Sequence, residues 1–382
     1  LRQSIVGFLV AAALFEGLVA ALGALGMVLP SKNFPLRAPG AEFYFAGNFY
    51  AFPEFETPVK LNADGLHDTP RALLPEPTVR RVALWGDSLV EGYQVEVEEL
   101  CSQHLQRALM QRAAAGKISQ PVEVLNLAHS GTRAAGLTDP RTLEFLAQRG
   151  VTDVVVMWHG AMEAAHALAS GGTGLLPPCV TGGWNRPSRL HRLALQSFRL
   201  DGAYLLLTSA RRIATDSGNA EPADFFYRAR EVDAPGRPAM WATLGNTLAQ
   251  VAALQSKGFR VSLAYLPTLA EVRALRASRT QSVSALGLAL DYGLLERRTQ
   301  ELAGAAGLPL WSVTSAIAMP EGSTHFESDK HWTAEGHRRV AQALEEPLSN
   351  WLQAVQPPSP IAAGAPGAAR PPTAGTAASP NR

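Results

Sequence analysis

Five short apolar runs punctuate the chain, at residues 82–85, 122–127, 153–158, 260–266 and 308–313. Each is rich in Val and Leu and bounded by Gly, Pro or polar residues, which predicts strands buried on both faces. Between and after them lie segments with helical spacing, at 96–115, 139–148, 242–257, 291–305 and 340–355. Wholly apolar strands separated by helices predict a parallel sheet covered on both sides. The expected fold is α/β, a flavodoxin-like three-layer α/β/α domain spanning 80–356. Ligands of such sheets bind beyond the carboxyl ends of the strands.

Four stretches break this rhythm. Residues 5–29 are almost wholly apolar, interrupted only by Glu16. A run this long can cross a hydrocarbon core of ~30 Å as a helix, so 1–30 is expected to be an N-terminal membrane anchor. Glu16 at mid-bilayer costs ~2.5–3.5 kcal/mol on insertion scales, which the surrounding Leu, Phe, Val and Ala can offset. Cleavage within the small-residue stretch 20–27 is the alternative. Residues 31–79 are rich in Pro and aromatics and are expected to pack on the main domain or near the membrane surface; Asn62-Ala63-Asp64-Gly65 is a turn signal there. Residues 169–240 form an insertion too long for a simple crossover, either a substrate-shaping lid or an excursion without function, with 190–214 helical in pattern. The Pro/Ala/Gly-rich segment 357–382 is expected to be a disordered tail.

Composition narrows the function classes. The 382 residues carry a formal net charge of +1 and are 47% hydrophobic. That balance, with no Arg/Lys cluster interleaved with aromatics, argues against nucleic-acid binding. Cys101 and Cys179 form no C-x-x-C pair, so they are either a disulfide of an exported domain or two unpaired thiols. No Walker or dinucleotide loop is present, and the histidines lack metal-ligand spacing; neither a cofactor nor a metal is expected. The oligomeric state is not encoded in any of these features.

The candidate chemistry sits at two places. The first strand runs into Gly86-Asp87-Ser88-Leu89-Val90-Glu91-Gly92, a turn opening a helix. A serine there has backbone N–H groups and a positive helix end beside it, although it could equally serve as a helix cap. Late in the chain stand Asp329-Lys330-His331-Trp332 and Gly336. An alcohol becomes a good nucleophile once a base takes its proton, and a carboxylate can orient that base. Ser88, His331 and Asp329 are therefore expected as nucleophile, general base and orienting carboxylate, with Glu327 in reserve. Thr333 suits the cap of the last helix.

Gly86-Asp87-Ser88 with Gly92, and the later D-x-H-W-x-x-x-G, resemble the GDSL/SGNH hydrolases, a superfamily of esterases, lipases and polysaccharide O-acetyltransferases. The resemblance spans roughly residues 80–348. It implies that the backbone N–H groups of Ser88 and of Gly131, in Asn126-Leu127-Ala128-His129-Ser130-Gly131, hold the oxyanion. Two departures stand out. The spacing is D-x-H where the family commonly has D-x-x-H, and Gly160-Ala161-Met162-Glu163 stands where the family has G-x-N-D. Met162 cannot donate a hydrogen bond, and losing one oxyanion donor costs on the order of 10²–10³ in rate. His159 or another group could donate instead. The resemblance implies an esterase, here expected to act on an O-acyl group of a carbohydrate from the extracytoplasmic side of a membrane. Transfer to a sugar hydroxyl, or glycan binding with weak catalysis, are the alternatives.

Overall fold

The computed structural model describes residues 39–47, 54–168, 225–234, 236–284, 287–318, 323–327 and 329–354, with isolated helical positions between 7 and 21. The proposed anchor lies for the most part outside these, as do Cys179, the 190–214 segment and the tail. Among the described residues no helix is long and apolar enough to cross a membrane.

The first described strands form an antiparallel hairpin, β1 (Glu42–Gly47) and β2 (Phe55–Lys60). In β2 the residues alternate buried and exposed, and Phe43, Val59 and Leu61 pack with Tyr93 of the main body. Asn62 then folds the chain back, its Oδ1 accepting from the amides of Asp64 and Leu66. The expected turn is therefore a side-chain-locked one.

The body follows as β3 (Arg80–Trp85), α1 (Ser88–Glu91), α2 (Cys101–Ala114), β4 (Val122–Asn126), α3 (Pro140–Gln148), β5 (Asp153–His159), α4 (Gly160–Leu168), α5 (Arg237–Ala252), β6 (Arg260–Leu266), α6 (Leu269–Arg276), a small hairpin β7 (Gln281–Val283) and β8 (Ala289–Asp291), α7 (Leu294–Ala305), β9 (Leu310–Ser312), α8 (Thr314–Ile317) and α9 (Ala334–Gln353). The five body strands form one sheet in the order β4-β3-β5-β6-β9, every pair parallel. All six residues of β3 are buried, which explains why its stretch 82–85 is continuously apolar rather than alternating.

One face of the sheet packs on α3, α4, α5 and α7 through Trp85, Val156, Trp158 and Tyr265. The other packs on α2, α6 and α9 through Leu84, Val155, Leu105 and Leu344. This is the expected three-layer arrangement. Each fully buried side chain of that size contributes roughly 1.5–3 kcal/mol. At the amino edge of the sheet, Asp153 accepts two hydrogen bonds from Arg80, at 2.8 and 2.9 Å, so the one buried acid among the strand starts is paired.

The helices shift from their expected bounds. α5 begins at Arg237, inside the expected insertion, and α9 begins at Ala334, six residues before 340. The hydroxyl of Thr333 accepts from the Gly336 amide, so the cap that the sequence suggests starts the helix. A methyl on Gly336 would overlap the Thr324 carbonyl, which makes glycine necessary there.

Two histidines are buried without charge. Burial pushes both His325 and His337 down to about 3. The unfolded chain takes up those protons near pH 6.5 while the folded one refuses them, so stability is lost as pH falls from about 6.5 toward 3, by on the order of 1.4 kcal/mol per pH unit for each. Asp68, raised to about 6 by burial, and Glu163, raised to about 7 by burial, act in the opposite sense. The difference between parent and His337→Gln isolates the histidine. Measured by denaturant unfolding, the parent's advantage over the variant should shrink between pH 7 and pH 5; a difference constant across that range would refute the assignment.

Candidate active site

Ser88 opens α1 at the carboxyl end of β3, but it does not cap the helix. Asp87 does: its Oδ1 accepts from the Leu89 amide at 3.0 Å. Ser88 is thereby released from capping, half-buried, with its hydroxyl available. The helix lasts one turn and ends at Gly92, which takes φ +68°. A Cβ at Gly92 would stand 2.9 Å from His337 Cε1 and overlap Leu100, so both backbone angle and space demand glycine.

The segment before α9 brings a histidine to this serine across 243 residues. His331 Nε2 lies 2.8 Å from Ser88 Oγ, and His331 Nδ1 lies 2.6 Å from Asp329 Oδ1. A carboxylate only accepts, so Nδ1 carries the proton and Nε2 faces the hydroxyl as an acceptor. Gln94 also donates to Asp329 Oδ1 at 3.1 Å, and the Asp329 amide donates to Glu54 at 2.9 Å. The D-x-H spacing works because Lys330 adopts φ +71°, folding the carboxylate back under the ring two residues later. Non-glycine residues rarely take that conformation, so the loop holds some strain at this point. Glu327 pairs instead with Arg273 on the surface and takes no part.

The β4 loop supplies the facing wall. Gly131 has φ +84°, and among the described residues neither its amide nor that of Ser88 donates to a protein acceptor. Glu91 anchors this loop to α1, accepting from the Ser130 amide at 2.9 Å and from its hydroxyl. From the other side Glu163 Oε1 accepts from the Ala134 amide at 2.9 Å, while Met162 points out, 37% exposed. Glu163 is thus a structural clamp on the loop that carries Gly131.

One pairing was not legible in the sequence. His159, the last residue of β5, places Nδ1 2.8 Å from Asp87 Oδ2. Burial alone would raise Asp87, but His159, the Leu89 amide and His331 outweigh it and hold this carboxyl below its usual range. Gln94, Glu54 and Arg133 were likewise unforeseen. They are single polar residues in loops, and only the tertiary fold brings them to the site. His325, His331 and His337 do not converge on a ligand, and among the described residues no group of His, Cys, Asp and Glu could hold a metal ion. Cys101 is buried, its thiol pushed up to about 12 by burial, and it lies outside the site.

Burial pulls the His331 imidazolium down, but the Asp329 hydrogen bond and charge, with the charge of Asp87, raise it above 6.5 overall. Followed by NMR of the ring protons, His331 should titrate above pH 6.5 in the parent and at lower pH in Asp329→Asn. Identical midpoints in the two proteins would mean that Asp329 does not govern the ring.

No protein-family model matches the chain. No curated protein matches it. Among solved structures it is similar to a lipase/acylhydrolase from Enterococcus faecalis, at 15% identity over 73% of this chain and 99% of that one, with a TM-score of 0.35. It is also similar to the psychrotrophic esterase EstA from Pseudoalteromonas sp., at 11% identity over 72% and 98%, TM-score 0.36. A lipase from a goat rumen metagenome shares 12% identity over 70% and 96%, TM-score 0.37.

Proposed function

We propose that this chain, which resembles the GDSL/SGNH hydrolases in its motifs, is a serine esterase whose nucleophile is Ser88. The observation that carries the reading is the continuous chain from Ser88 Oγ to His331 Nε2, 2.8 Å, and from His331 Nδ1 to Asp329 Oδ1, 2.6 Å. His331 takes the Ser88 proton as the oxygen attacks the acyl carbon. The Ser88 and Gly131 amides stand ready for the oxyanion, and Asp329 stabilises the imidazolium. His331 then returns its proton to the leaving alcohol. Water, activated by the same ring, cleaves the acyl-enzyme and restores Ser88.

The natural substrate in this proposal is an O-acyl group on a carbohydrate, and the domain works on the extracytoplasmic side of a membrane. The latter rests on the apolar run at 5–29. An acceptor hydroxyl in place of water would turn the same cycle into O-acetyl transfer. The specific observation favouring slow catalysis is Met162, an exposed thioether with no donor to offer.

Hydrolysis of p-nitrophenyl acetate by the parent, Ser88→Ala and His331→Ala tests the proposal. Each substitution should lower kcat by at least about 10³, because serine and base act as a unit. Equal rates in all three proteins would rule the mechanism out.

A further inference from the structure

Asp329 and His331 stand on either side of Lys330, which takes φ +71°. The backbone closes around that residue. The Lys330 amide donates to the Phe326 carbonyl at 3.1 Å, and the Phe326 amide donates to the His331 carbonyl at 2.9 Å. A non-glycine residue stays left-handed only where its surroundings over-determine it.

Two further holds on this turn come from outside it, and both lead back to the β1–β2 hairpin. Glu54, the residue before β2, accepts from the Asp329 amide through Oε2 at 2.9 Å. Gln94, two residues past the Gly92 that ends α1, donates from Nε2 to Asp329 Oδ1 at 3.1 Å. Gln94 is 5% exposed, and its carbonyl accepts from Thr57 Oγ1 of β2 at 2.8 Å. Its neighbour Tyr93 stands edge-on to Phe43 and Phe45 of β1, with ring centroids 5.4 and 5.6 Å apart. The ring contacts continue from Phe45 to Phe55 at 5.7 Å and from Phe55 to Phe326 at 4.7 Å. The hairpin thus touches the turn at its first residue through a ring and at Asp329 through a hydrogen bond, and it fixes the backbone of Gln94.

We propose that the β1–β2 hairpin is a clamp on the Asp329–His331 pair, with Glu54 and Gln94 as positioning residues that hold the Asp329 carboxylate against the ring. Both reach His331 through Asp329, whose Oδ1 lies 2.6 Å from His331 Nδ1. The effect on rate rests on the serine-esterase reading of Ser88; the hold on the ring does not. Loss of either contact loosens the carboxylate from the imidazole, and a misplacement on the order of 1 Å can cost 10²-fold in rate.

The test compares the full chain with Glu54→Ala, Glu54→Gln and Gln94→Met. Glu54→Gln keeps an accepting oxygen, while Gln94→Met keeps an unbranched side chain and removes the donor. Followed by NMR of the ring protons, the His331 midpoint should fall in Glu54→Ala and in Gln94→Met and recover most of the way in Glu54→Gln. Loss of the Gln94 donor by itself would favour the imidazolium and raise the midpoint, so a fall reads lost position. With p-nitrophenyl acetate, kcat should drop by about 10- to 100-fold in Glu54→Ala and Gln94→Met, with KM within about twofold of the parent. Glu54→Gln should regain most of that loss. Should one alanine or methionine variant fail to fold, the other reads the clamp alone. Folded variants that lose stability but keep the parent midpoint would overturn the clamp, since a hairpin that only packs would behave that way. Equal shifts in Glu54→Ala and Glu54→Gln would also overturn it, because they would trace to charge and not to the hydrogen bond. A parent that turns over no ester would overturn the esterase reading, and the midpoints would still decide the clamp.

Discussion

The Asp87 carboxylate accepts from the Leu89 amide with one oxygen and from the His159 ring with the other, and so fixes both the start of α1 and its tie to the end of β5. Ser88 is the next residue, and its place follows from that grip. Without these partners a buried ionised carboxylate would be costly, because desolvation penalises the charged form. With them the charge is retained, and its field reaches His331, favouring the protonated ring. One short side chain thus caps the helix that presents Ser88, links two strand ends and biases His331.

The second half of the site depends on a loop closing over a large sequence separation. Thr333 caps α9, Gly336 lets the Thr324 carbonyl pass close to that helix, and Arg276 donates to Thr324 Oγ1 and the Ile317 carbonyl. Together they fix where the chain turns before α9. Lys330 in its left-handed conformation then makes the tight fold that sets Asp329 against His331. The geometry of Ser88, His331 and Asp329 is therefore held by backbone packing at the carboxyl edge of a rigid sheet. This is the arrangement in which a 2.8 Å contact across 243 residues can persist.

The sheet was legible because its strands are short and four of the five are buried. A continuous apolar run between turn residues has few other fates, and all five runs became the five strands in sequence. Elements whose pattern is mixed were harder. β1 and β2 hide among prolines and aromatics, β7 and β8 are three residues each, and α6 lies in a stretch with three arginines between 273 and 279 and 8 residues of helix. The first turn and a half of α9 carries Gly336 and buried His337, residues whose reason is tertiary rather than helical. At the site, Ser88, Asp329, His331 and Gly131 stood in recognisable local motifs. His159, Gln94 and Glu54 did not, since a lone polar residue acquires a role only when the fold supplies its partner.

The most direct measurement is covalent labelling with a fluorophosphonate, followed by peptide mass spectrometry of the full chain. The expected result is a single adduct on Ser88, lost in His331→Ala while the variant stays folded. An adduct on another serine, or none on a folded parent, would contradict an activated nucleophile at this position.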